Sequence, residues 1–420
     1  MAERTHAKVI IAGGGIAGVT ATLMLAKQGI DSILLETAPA FQEEGAGLQL
    51  GPNVNRNLDE VGVLEKIRPL SVNPRRMIFR QGITGEVLTV VDLRDAERRY
   101  GGPYLVIHRK ELLDKLVETA REQPDLISLQ LNSEVVEHKD MGDSVLVRTA
   151  DGREYTGEVL IGADGIHSRI RRADFVNDER VESGYVAFRG AIPIADMPEA
   201  GRSAIDDLVG WIGPNFHFVQ YALHGGEMYN QVGVFKSYEF FEGHRQHHYG
   251  NLNEMAVRFQ NAYPQIKAAL PALKIVRNWP MADLEKLDHY NHGRVVLIGD
   301  AAHAVLQYLA QGAGQSMIDG KNLAEHLGAI EGEWSTAKVH AALQGYNDDR
   351  CEACGHVQDV CRMWGEIWHQ DSPIGILIRD ELFKSRPTYD YHYADWLWGP
   401  VVDPTPKVAT EAELEQLYTV

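Results

Sequence analysis

The sequence predicts an α/β fold in which a Rossmann-like dinucleotide-binding domain is interrupted by an antiparallel-sheet domain and followed by a helical, aromatic C-terminal region. A strand, a glycine-rich turn and a helix open the chain, and the same pattern returns after residue 290. Short β-rich aromatic runs fill the stretch between them. We therefore predict a discontinuous first domain of residues 1–179 and 290–350, a second domain of residues 180–289, and a C-terminal region of residues 351–420.

The first element is a βαβ unit with the sequence KVIIAGGGIAGVTATLMLAKQGIDSILLE. Gly13, Gly15 and Gly18 have the G-x-G-x-x-G spacing, which permits a tight turn and close approach to a pyrophosphate. The helix that follows offers the free N–H groups of its N-terminus to the phosphates. Glu36 ends the second strand, where a carboxylate accepts hydrogen bonds from ribose hydroxyls and disfavours a 2′-phosphate. This unit predicts that FAD or NAD is bound, rather than NADP.

The next elements place polar residues directly after strands. Arg109 follows the strand YLVIH and precedes a helix, a position that suits either a phosphate or ribityl contact or an ordinary surface charge. Asp164 lies in GADG after a buried strand, and Asp300 lies in GDAAH after another. A helix is predicted to begin near Gly312 and Gly314. These junctions all belong to the predicted first domain.

The predicted second domain contains the runs YVAFRGAIPI, LVGWIG, FHFVQYAL and YNQVGVF, which suggest antiparallel strands. His217 lies in FHFVQY, and the residues alone favour a buried structural histidine over a general base. His244, His247 and His248 have no carboxylate or cysteine at metal-ligand spacing, so we predict a solvated loop there and no metal site in the protein.

The C-terminal region carries four of the seven tryptophans and all three cysteines. Cys351, Cys354 and Cys361 are too few and too clustered for a disulfide framework, which suits a reducing cytoplasm. The C-x-x-C pair lacks the context of a redox or zinc motif, so we predict thiols packed on a helix. Four tryptophans in this region must be buried, either against the core or in a subunit interface such as that of a homodimer.

The composition excludes several classes of partner. The 420 residues include 41 Lys plus Arg and 59 Asp plus Glu, which gives a net charge of −18. Without a basic run, this charge disfavours nucleic acid and anionic membrane surfaces as partners. The uncharged stretch of residues 9–26 is interrupted by glycines, which favours a strand, turn and helix over a membrane span or a signal peptide. We expect a small ligand as the partner.

Three motifs stand in a fixed order along the chain: GGGIAG, GADG, and GDAAH with a downstream G-x-G. Together they resemble the class A flavoprotein aromatic hydroxylases, FAD-dependent monooxygenases of the p-hydroxybenzoate hydroxylase fold. The resemblance covers nearly the whole chain and implies non-covalently bound FAD. Asp164 would also serve the passing nicotinamide nucleotide, and Asp300 would bind the ribityl chain. The implied FAD-binding residues are Gly13, Gly15, Gly18, Glu36, Arg109, Asp164, Asp300, Gly312 and Gly314.

A finer resemblance, carried by WIGPNFHFVQY, LQYLAQGAG, RMWGEIWH and YADWLWG, is to the 3-hydroxybenzoate 6-hydroxylases within this family. It implies hydroxylation of 3-hydroxybenzoate to 2,5-dihydroxybenzoate (gentisate) with O₂ and NADH, through a flavin C4a-hydroperoxide. It places His217 and Gln307 beside the substrate phenol and Tyr221 in the pocket. Ala304 and Val305 stand where the broad family has prolines, which leaves the exact substrate open.

Two other functions fit the same residues. A decarboxylating reaction like that of salicylate 1-hydroxylase uses the same three FAD motifs. A non-catalytic FAD-fold binding protein is an alternative of another class, although it would not need motifs for both halves of FAD. The absence of a second G-x-G-x-x-G unit in the sequence predicts that NADH visits the flavin transiently.

Overall fold

The computed structural model describes residues 5–42, 47–175, 179–242, 249–273, 277–405, 410 and 418. The prediction made for His244, His247 and His248 falls outside the described residues. The described strands are β1 (Val9–Ala12), β2 (Ser32–Leu35), β3 (Gly47–Leu50), β4 (Arg76–Gln81), β5 (Val87–Asp92), β6 (Leu105–His108), β7 (Ile127–Gln130), β8 (Val135–Asp140), β9 (Val145–Thr149), β10 (Glu154–Gly157), β11 (Val159–Gly162), β12 (Arg180–Pro193), β13 (Asp207–Gly213), β14 (Phe216–Leu223), β15 (Met228–Lys236), β16 (Asn278–Leu284), β17 (Asn291–His292) and β18 (Val295–Leu297). The described α-helices are α1 (Ile16–Lys27), α2 (Pro52–Glu60), α3 (Leu64–Ile67), α4 (Ala96–Tyr100), α5 (Arg109–Arg121), α6 (Arg169–Asp174), α7 (Tyr238–Phe241), α8 (Leu252–Phe259), α9 (Pro264–Ala269), α10 (Asp300–His303), α11 (Gly312–Gly328), α12 (Thr336–Trp368), α13 (Pro373–Lys384) and α14 (His392–Trp398).

A six-stranded sheet in the order β17-β18-β11-β1-β2-β7 forms the nucleotide-binding unit. The pairs from β18 to β7 are parallel, and only β17 joins antiparallel. Strands β1, β2 and β11 are buried along their whole length. Their sequences are therefore continuous apolar runs and do not alternate between apolar and polar residues. Helices α1 and α11 pack against each other beside this sheet. The βαβ unit predicted from the glycine spacing is therefore present.

A seven-stranded sheet in the order β16-β12-β15-β14-β13-β4-β5 forms the second unit. Its pairs are antiparallel except for β13 with β4, which run parallel. The outer face carries an aromatic cluster in which Phe216 and Phe218 pack against Phe259 of α8. Strands β4 and β5 come from the segment that the sequence assigned to the first domain, so the chain enters this sheet earlier than residue 180. The division at residues 179 and 290 stays a prediction.

The C-terminal region is helical and aromatic, as predicted. Helix α12 contains 33 residues and crosses the predicted boundary at residue 350. The three cysteines all lie on it and are free. The rings of Trp364 and Phe383 stack with centroids 5.7 Å apart, and the ring of Trp398 lies 5.7 Å from that of Tyr100. The ring of Phe79 on β4 contacts those of Trp368 and Phe383 edge-on, so part of the aromatic tail packs against the seven-stranded sheet. The predicted fold class is confirmed.

In the part of the chain that the structure describes, no helix is both long enough and apolar enough to cross a bilayer. The 33-residue helix α12 illustrates why, because it carries acidic and basic side chains along its exposed side. Its length serves contact with several parts of the fold, including α11, β17 and the turn at Gln307–Leu309.

Candidate active site

The three sequence motifs meet at the carboxyl ends of parallel strands. A Cβ atom placed on Gly13 would lie 2.3 Å from the carbonyl oxygen of Ala163, in the GADG motif. A Cβ atom on Gly18 would lie 2.0 Å from the carbonyl oxygen of Gly13, so the helix packs tightly on the turn. A Cβ atom on Gly299 would lie 3.2 Å from the Cβ atom of Ala17. This edge is where open α/β sheets bind nucleotides.

Glu36 and Asp164 provide the carboxylates of this edge. The two oxygens of Glu36 accept hydrogen bonds from the backbone N–H groups of Gly14 (2.6 Å) and Ala38 (2.7 Å), which fix the carboxylate at the end of β2. Oδ2 of Asp164 accepts from the N–H of Arg169 at 2.8 Å. Its Oδ1 is buried and has no hydrogen-bond partner among the described residues. A buried acceptor left unpaired indicates a ligand that donates to it, as a flavin nucleotide does.

Asp300 and the start of α11 lie close together after β18. Gly299 has a φ of +60°, and the exposed Asp300 follows it as the first residue of α10. A Cβ atom on Gly312 would lie 3.9 Å from Oδ1 of Asp300, so these two predicted residues come together. Helix α11 begins at Gly312 without a side-chain cap, which leaves its first N–H groups and the positive end of its dipole available. The donors, acceptors and glycines of this edge fit FAD.

A buried ionic group anchors the loop that carries Asp300. Oδ2 of Asp319 accepts from the N–H of Gly299 at 2.8 Å and lies 2.6 Å from Nε2 of His303, while Nε of Arg350 donates to Oδ1 at 2.8 Å. Burial alone raises the pKa of a carboxyl group, but His303 and Arg350 outweigh it and hold the pKa of Asp319 well below its usual range.

The same group contains three side chains of metal-binding type. Ligand atoms of His303, Asp319 and Cys354 lie within 4.8 Å of one another. However, the guanidinium of Arg350 donates to Asp319 and lies 3.1 Å from Sγ of Cys354, so a cation already neutralises this carboxylate. We interpret the group as a structural anchor, and the sequence prediction of no metal site stays a prediction.

The inner face of the seven-stranded sheet presents polar side chains toward the loop after α10. His217 and Tyr221 lie four residues apart on β14 and therefore share this face. Gln307 begins a short 3-10 turn, and the ring of the next residue, Tyr308, lies 5.6 Å from that of His217. Nη2 of Arg189, on β12, donates to Oε1 of Gln307 at 2.8 Å. The predicted substrate residues are thus placed around one region.

His217 is paired with a second histidine that the sequence had not singled out. Its Nδ1 lies 2.7 Å from Nε2 of His369, and the two rings are nearly coplanar, with an interplanar angle of 19° and centroids 5.0 Å apart. The ring of Tyr185 stacks on that of His369, and Trp368 contacts His217 edge-on. Burial lowers the pKa of His217 to about 3, and burial together with His217 lowers that of His369 well below its usual range. Both rings are therefore neutral near pH 7.

Tyr221 lies in a tightly packed part of the same face. A Cβ atom on Gly47 would lie 2.6 Å from the ring of Tyr221. Burial raises the pKa of the Tyr221 hydroxyl to about 12, although the charges of Arg189 and Arg109 act in the opposite direction. Arg109, predicted as an FAD contact, thus lies near enough for its charge to act on the Tyr221 hydroxyl. Tyr221 is a neutral hydrogen-bonding group at physiological pH.

Comparison with known proteins agrees with this geometry. A family model described as an FAD binding domain matches residues 6–359. The chain is 35% identical over 393 residues to a 3-hydroxybenzoate 6-hydroxylase of Polaromonas naphthalenivorans, covering 93% of this chain and 95% of that protein. It is 30% identical to a 3-amino-4-hydroxybenzoate 2-monooxygenase of Streptomyces cremeus, over 93% of this chain and 95% of that one.

Solved structures show the same fold. A salicylate hydroxylase in complex with substrate is 25% identical, with a TM-score of 0.76 and coverage of 94% of this chain and 95% of that chain. The Klebsiella pneumoniae protein HpxO, in complex with FAD and uric acid, is 22% identical with a TM-score of 0.79, covering 94% of this chain and 97% of that chain.

The fold and the nucleotide site define a flavoprotein that uses FAD. More particularly, the chain belongs to the family of FAD-dependent aromatic monooxygenases that includes the 3-hydroxybenzoate 6-hydroxylases. It is therefore an enzyme, and a small aromatic compound is its substrate. The resemblance inferred from the three sequence motifs is confirmed.

Several residues of the site were missed by sequence reasoning. His369 is the last residue of RMWGEIWH, and the resemblance of this segment to the hydroxylases was the available signal. Arg189 lies in YVAFRGAIP, where one charge among apolar residues of a predicted strand was the available signal. Asp319 and Arg350 stand in ordinary helical sequence, and nothing there indicated that they meet at the loop.

Proposed function

We propose that this enzyme hydroxylates 3-hydroxybenzoate at the carbon para to its phenol, giving 2,5-dihydroxybenzoate. NADH, a proton and O₂ are consumed, and NAD⁺ and water are released. The observation that carries the proposal is the convergence of His217, Gln307 and Tyr221 on the inner sheet face beside the loop that begins at Asp300. Relatives named as 3-hydroxybenzoate 6-hydroxylases, at 33% to 35% identity over at least 93% of this chain, support the choice of substrate.

The residues of the sheet face have distinct tasks in this reaction. FAD, when bound, supplies the acceptance of hydride and the activation of oxygen. Nε2 of His217 makes no hydrogen bond to a described residue, so it is available to accept the phenol proton in a hydrogen bond. Because burial makes imidazolium costly here, His217 shares this proton and does not remove it completely. The aromatic residues around it exclude water from the reacting ring.

A small substrate panel tests the proposal. Purified enzyme is supplied with NADH and with 2-, 3- or 4-hydroxybenzoate, while NADH oxidation, O₂ uptake and product identity are recorded. We expect rapid, coupled turnover with 3-hydroxybenzoate and 2,5-dihydroxybenzoate as product. Catechol and carbon dioxide formed from 2-hydroxybenzoate would instead support the salicylate 1-hydroxylase-like alternative.

We also propose that NADH is preferred over NADPH and that FAD is held non-covalently. The net charge of −18 repels the additional phosphate of NADPH. The three FAD motifs hold the cofactor, and no histidine or cysteine stands in an evident motif for covalent attachment. Acid precipitation is expected to release all of the flavin, and kcat/KM is expected to be higher with NADH. A cytoplasmic location remains a prediction, supported by three free cysteines.

A homodimer is the oligomeric state that we propose. Helix α13 exposes four large apolar side chains at a helical spacing, so one stripe of its surface has no covering element among the described residues. The stripe consists of Ile374, Leu377, Ile378 and Leu382. A second copy of the same chain would bury two such stripes against each other.

A further inference from the structure

Arg189 holds the side chain of Gln307 from a neighbouring element. It lies on β12, where Tyr185, Ala187 and Arg189 alternate onto the inner face of the sheet. Its Nη2 donates a 2.8 Å hydrogen bond to Oε1 of Gln307, which lies 118 residues later in the chain. The proposed function assigns Gln307 to the substrate phenol, and no role has so far been given to Arg189.

This contact decides which way the amide of Gln307 points. A guanidinium group has only donors, whereas a glutamine amide has an acceptor oxygen and a donor nitrogen. The oxygen must therefore face Arg189, and the NH₂ group must point elsewhere. Gln307 is half-buried, and its nitrogen makes no hydrogen bond to a described residue. The site consequently presents two N–H donors to whatever lies beside Gln307.

The charge of Arg189 is not neutralised by a carboxylate among the described residues. Its Nε is buried without a hydrogen-bond partner there, and its guanidinium carbon lies 5.7 Å from the ring centroid of Trp279. Burial lowers the pKa of Arg189, the nearby positive charge of Arg109 acts in the same direction, and Tyr221 acts against both. A cation in this position is stabilised by an anionic ligand.

We propose that Arg189 is a positioning residue for hydroxylation: it orients and polarises the Gln307 amide so that the NH₂ group donates to the oxygen of the bound phenol. This inference rests on the proposed function, because it requires a phenolic substrate. A guanidinium that donates to the amide oxygen draws electron density from the nitrogen and strengthens its N–H donors. Strong donors favour phenolate over phenol, and phenolate is the form whose ring is reactive at the para carbon.

The division of roles within the site follows from this. His217 is too weakly basic to hold a proton, so the negative charge that develops on the phenol oxygen needs stabilisation from elsewhere. Gln307 provides it, with Arg189 behind it as the source of positive charge. The pair thus selects substrates that carry a hydrogen-bond acceptor able to become anionic at this position.

The test measures the phenol pKa of bound 3-hydroxybenzoate by ultraviolet difference spectroscopy, with oxidised FAD-loaded enzyme and no NADH. Arg189→Met should raise this pKa by about 1 to 3 units relative to wild type. Arg277→Met is the matched control, because the guanidinium carbon of the exposed Arg277 also lies over the ring of Trp279, 4.3 Å from its centroid. It should leave the pKa of the bound phenol unchanged.

A double-variant cycle shows whether Arg189 acts through Gln307. Arg189→Met alone should lower the rate of hydroxylation at least tenfold, whereas adding it to Gln307→Leu should change the rate less than about threefold, because coupled residues are not additive. An unchanged phenol pKa in Arg189→Met, or rate losses that multiply in the double variant, would overturn the inference.

The controls separate the possible failures. If Arg189→Met does not bind FAD, Arg189→Lys is used in its place. The single ammonium group of lysine orients the Gln307 amide less well than a guanidinium does, so the phenol pKa should rise, but by less than is expected for Arg189→Met. A Lys variant identical to wild type would then count against the inference. If wild-type enzyme neither binds nor hydroxylates 3-hydroxybenzoate, the proposed function itself fails. That failure is seen in the wild type, whereas failure of the inference is seen only in the variants, so the two can be distinguished.

Discussion

Two substitutions of His217 separate its contact with substrate from its contact with His369. The amide of an asparagine reaches about as far as Nδ1 of a histidine, whereas that of a glutamine reaches about as far as Nε2. His217→Asn therefore keeps a partner for Nε2 of His369 and loses the atom available to the phenol. His217→Gln keeps an atom near the position of Nε2, where the phenol would bind, and loses the partner for His369. We expect the asparagine variant to be the slower enzyme of the two.

The magnitude follows from the pKa of His217. A phenol has a pKa of about 10, and burial lowers the pKa of His217 to about 3. A gap of about 7 pKa units makes complete proton transfer unfavourable by about 9 to 10 kcal/mol before any charge stabilisation. His217 therefore acts as the acceptor of a hydrogen bond from the phenol O–H, and such a bond, with charge developing on the phenol oxygen, is worth about 1.5 to 3 kcal/mol. Its loss should slow hydroxylation by about 10- to 150-fold, below the upper range of ~10⁴-fold for general-base catalysis.

The assay compares product formed per NADH oxidised, at saturating 3-hydroxybenzoate, for both variants and wild type. FAD content and the thermal midpoint are measured on the same preparations, so that a folding defect is recognised. Full wild-type rate and yield in His217→Asn would refute the reasoning, because the histidine would then serve only to pack against His369. A slow His217→Gln beside a fast His217→Asn would assign the function to the imidazole pair instead.

Three other outcomes are expected. Burial lowers the pKa of His217 and His369, so both stay neutral in the folded protein, whereas in the unfolded chain they bind protons below pH ~6.5. The free energy of unfolding should therefore fall as the pH drops from ~6.5, by up to about 2.7 kcal/mol per pH unit for the two histidines together. His369→Gln should remove about half of this difference in urea unfolding curves between pH 7 and 5. Asp164→Asn should weaken FAD binding at least tenfold in titrations of the apoprotein, since it alters the unpaired Oδ1; equal affinity would show that this oxygen does not bind the cofactor. Leu377→Asp should shift the protein from dimer to monomer in size-exclusion chromatography with light scattering, and a monomeric wild type would contradict the proposed homodimer.

The nucleotide site was predictable because its determinants are local. Gly13 and Gly18 are required by contacts within one strand-turn-helix unit, and the acidic residues follow strands that are themselves apolar runs. Such features need no knowledge of distant residues. The same holds for the start of α11 at Gly312, where a glycine-rich stretch marks the boundary.

The substrate face was less predictable because its partners are distant in sequence. His217 and His369 are 152 residues apart, and Arg189 and Gln307 are 118 residues apart. Alternation along a strand predicts which side chains share a face, but not what covers that face. The lowered pKa of His217 depends on enclosure by Trp368 and by Tyr308, so the ordinary histidine value expected from sequence does not apply.

The pairing of β4 with β13 bears on how this protein is synthesised. Strand β4 cannot pair with β13 until residue 213 has left the ribosome, and β11 cannot pair with β18 until residue 297 has. The seven-stranded sheet is therefore complete only after residue 284, and the six-stranded sheet only after residue 297. Until then, strand edges with unpaired N–H and C=O groups stay open to other chains. Nascent chains on one messenger are thus exposed to mutual aggregation over a long interval, and recombinant yield should depend on chaperone capacity and on slow, cool expression.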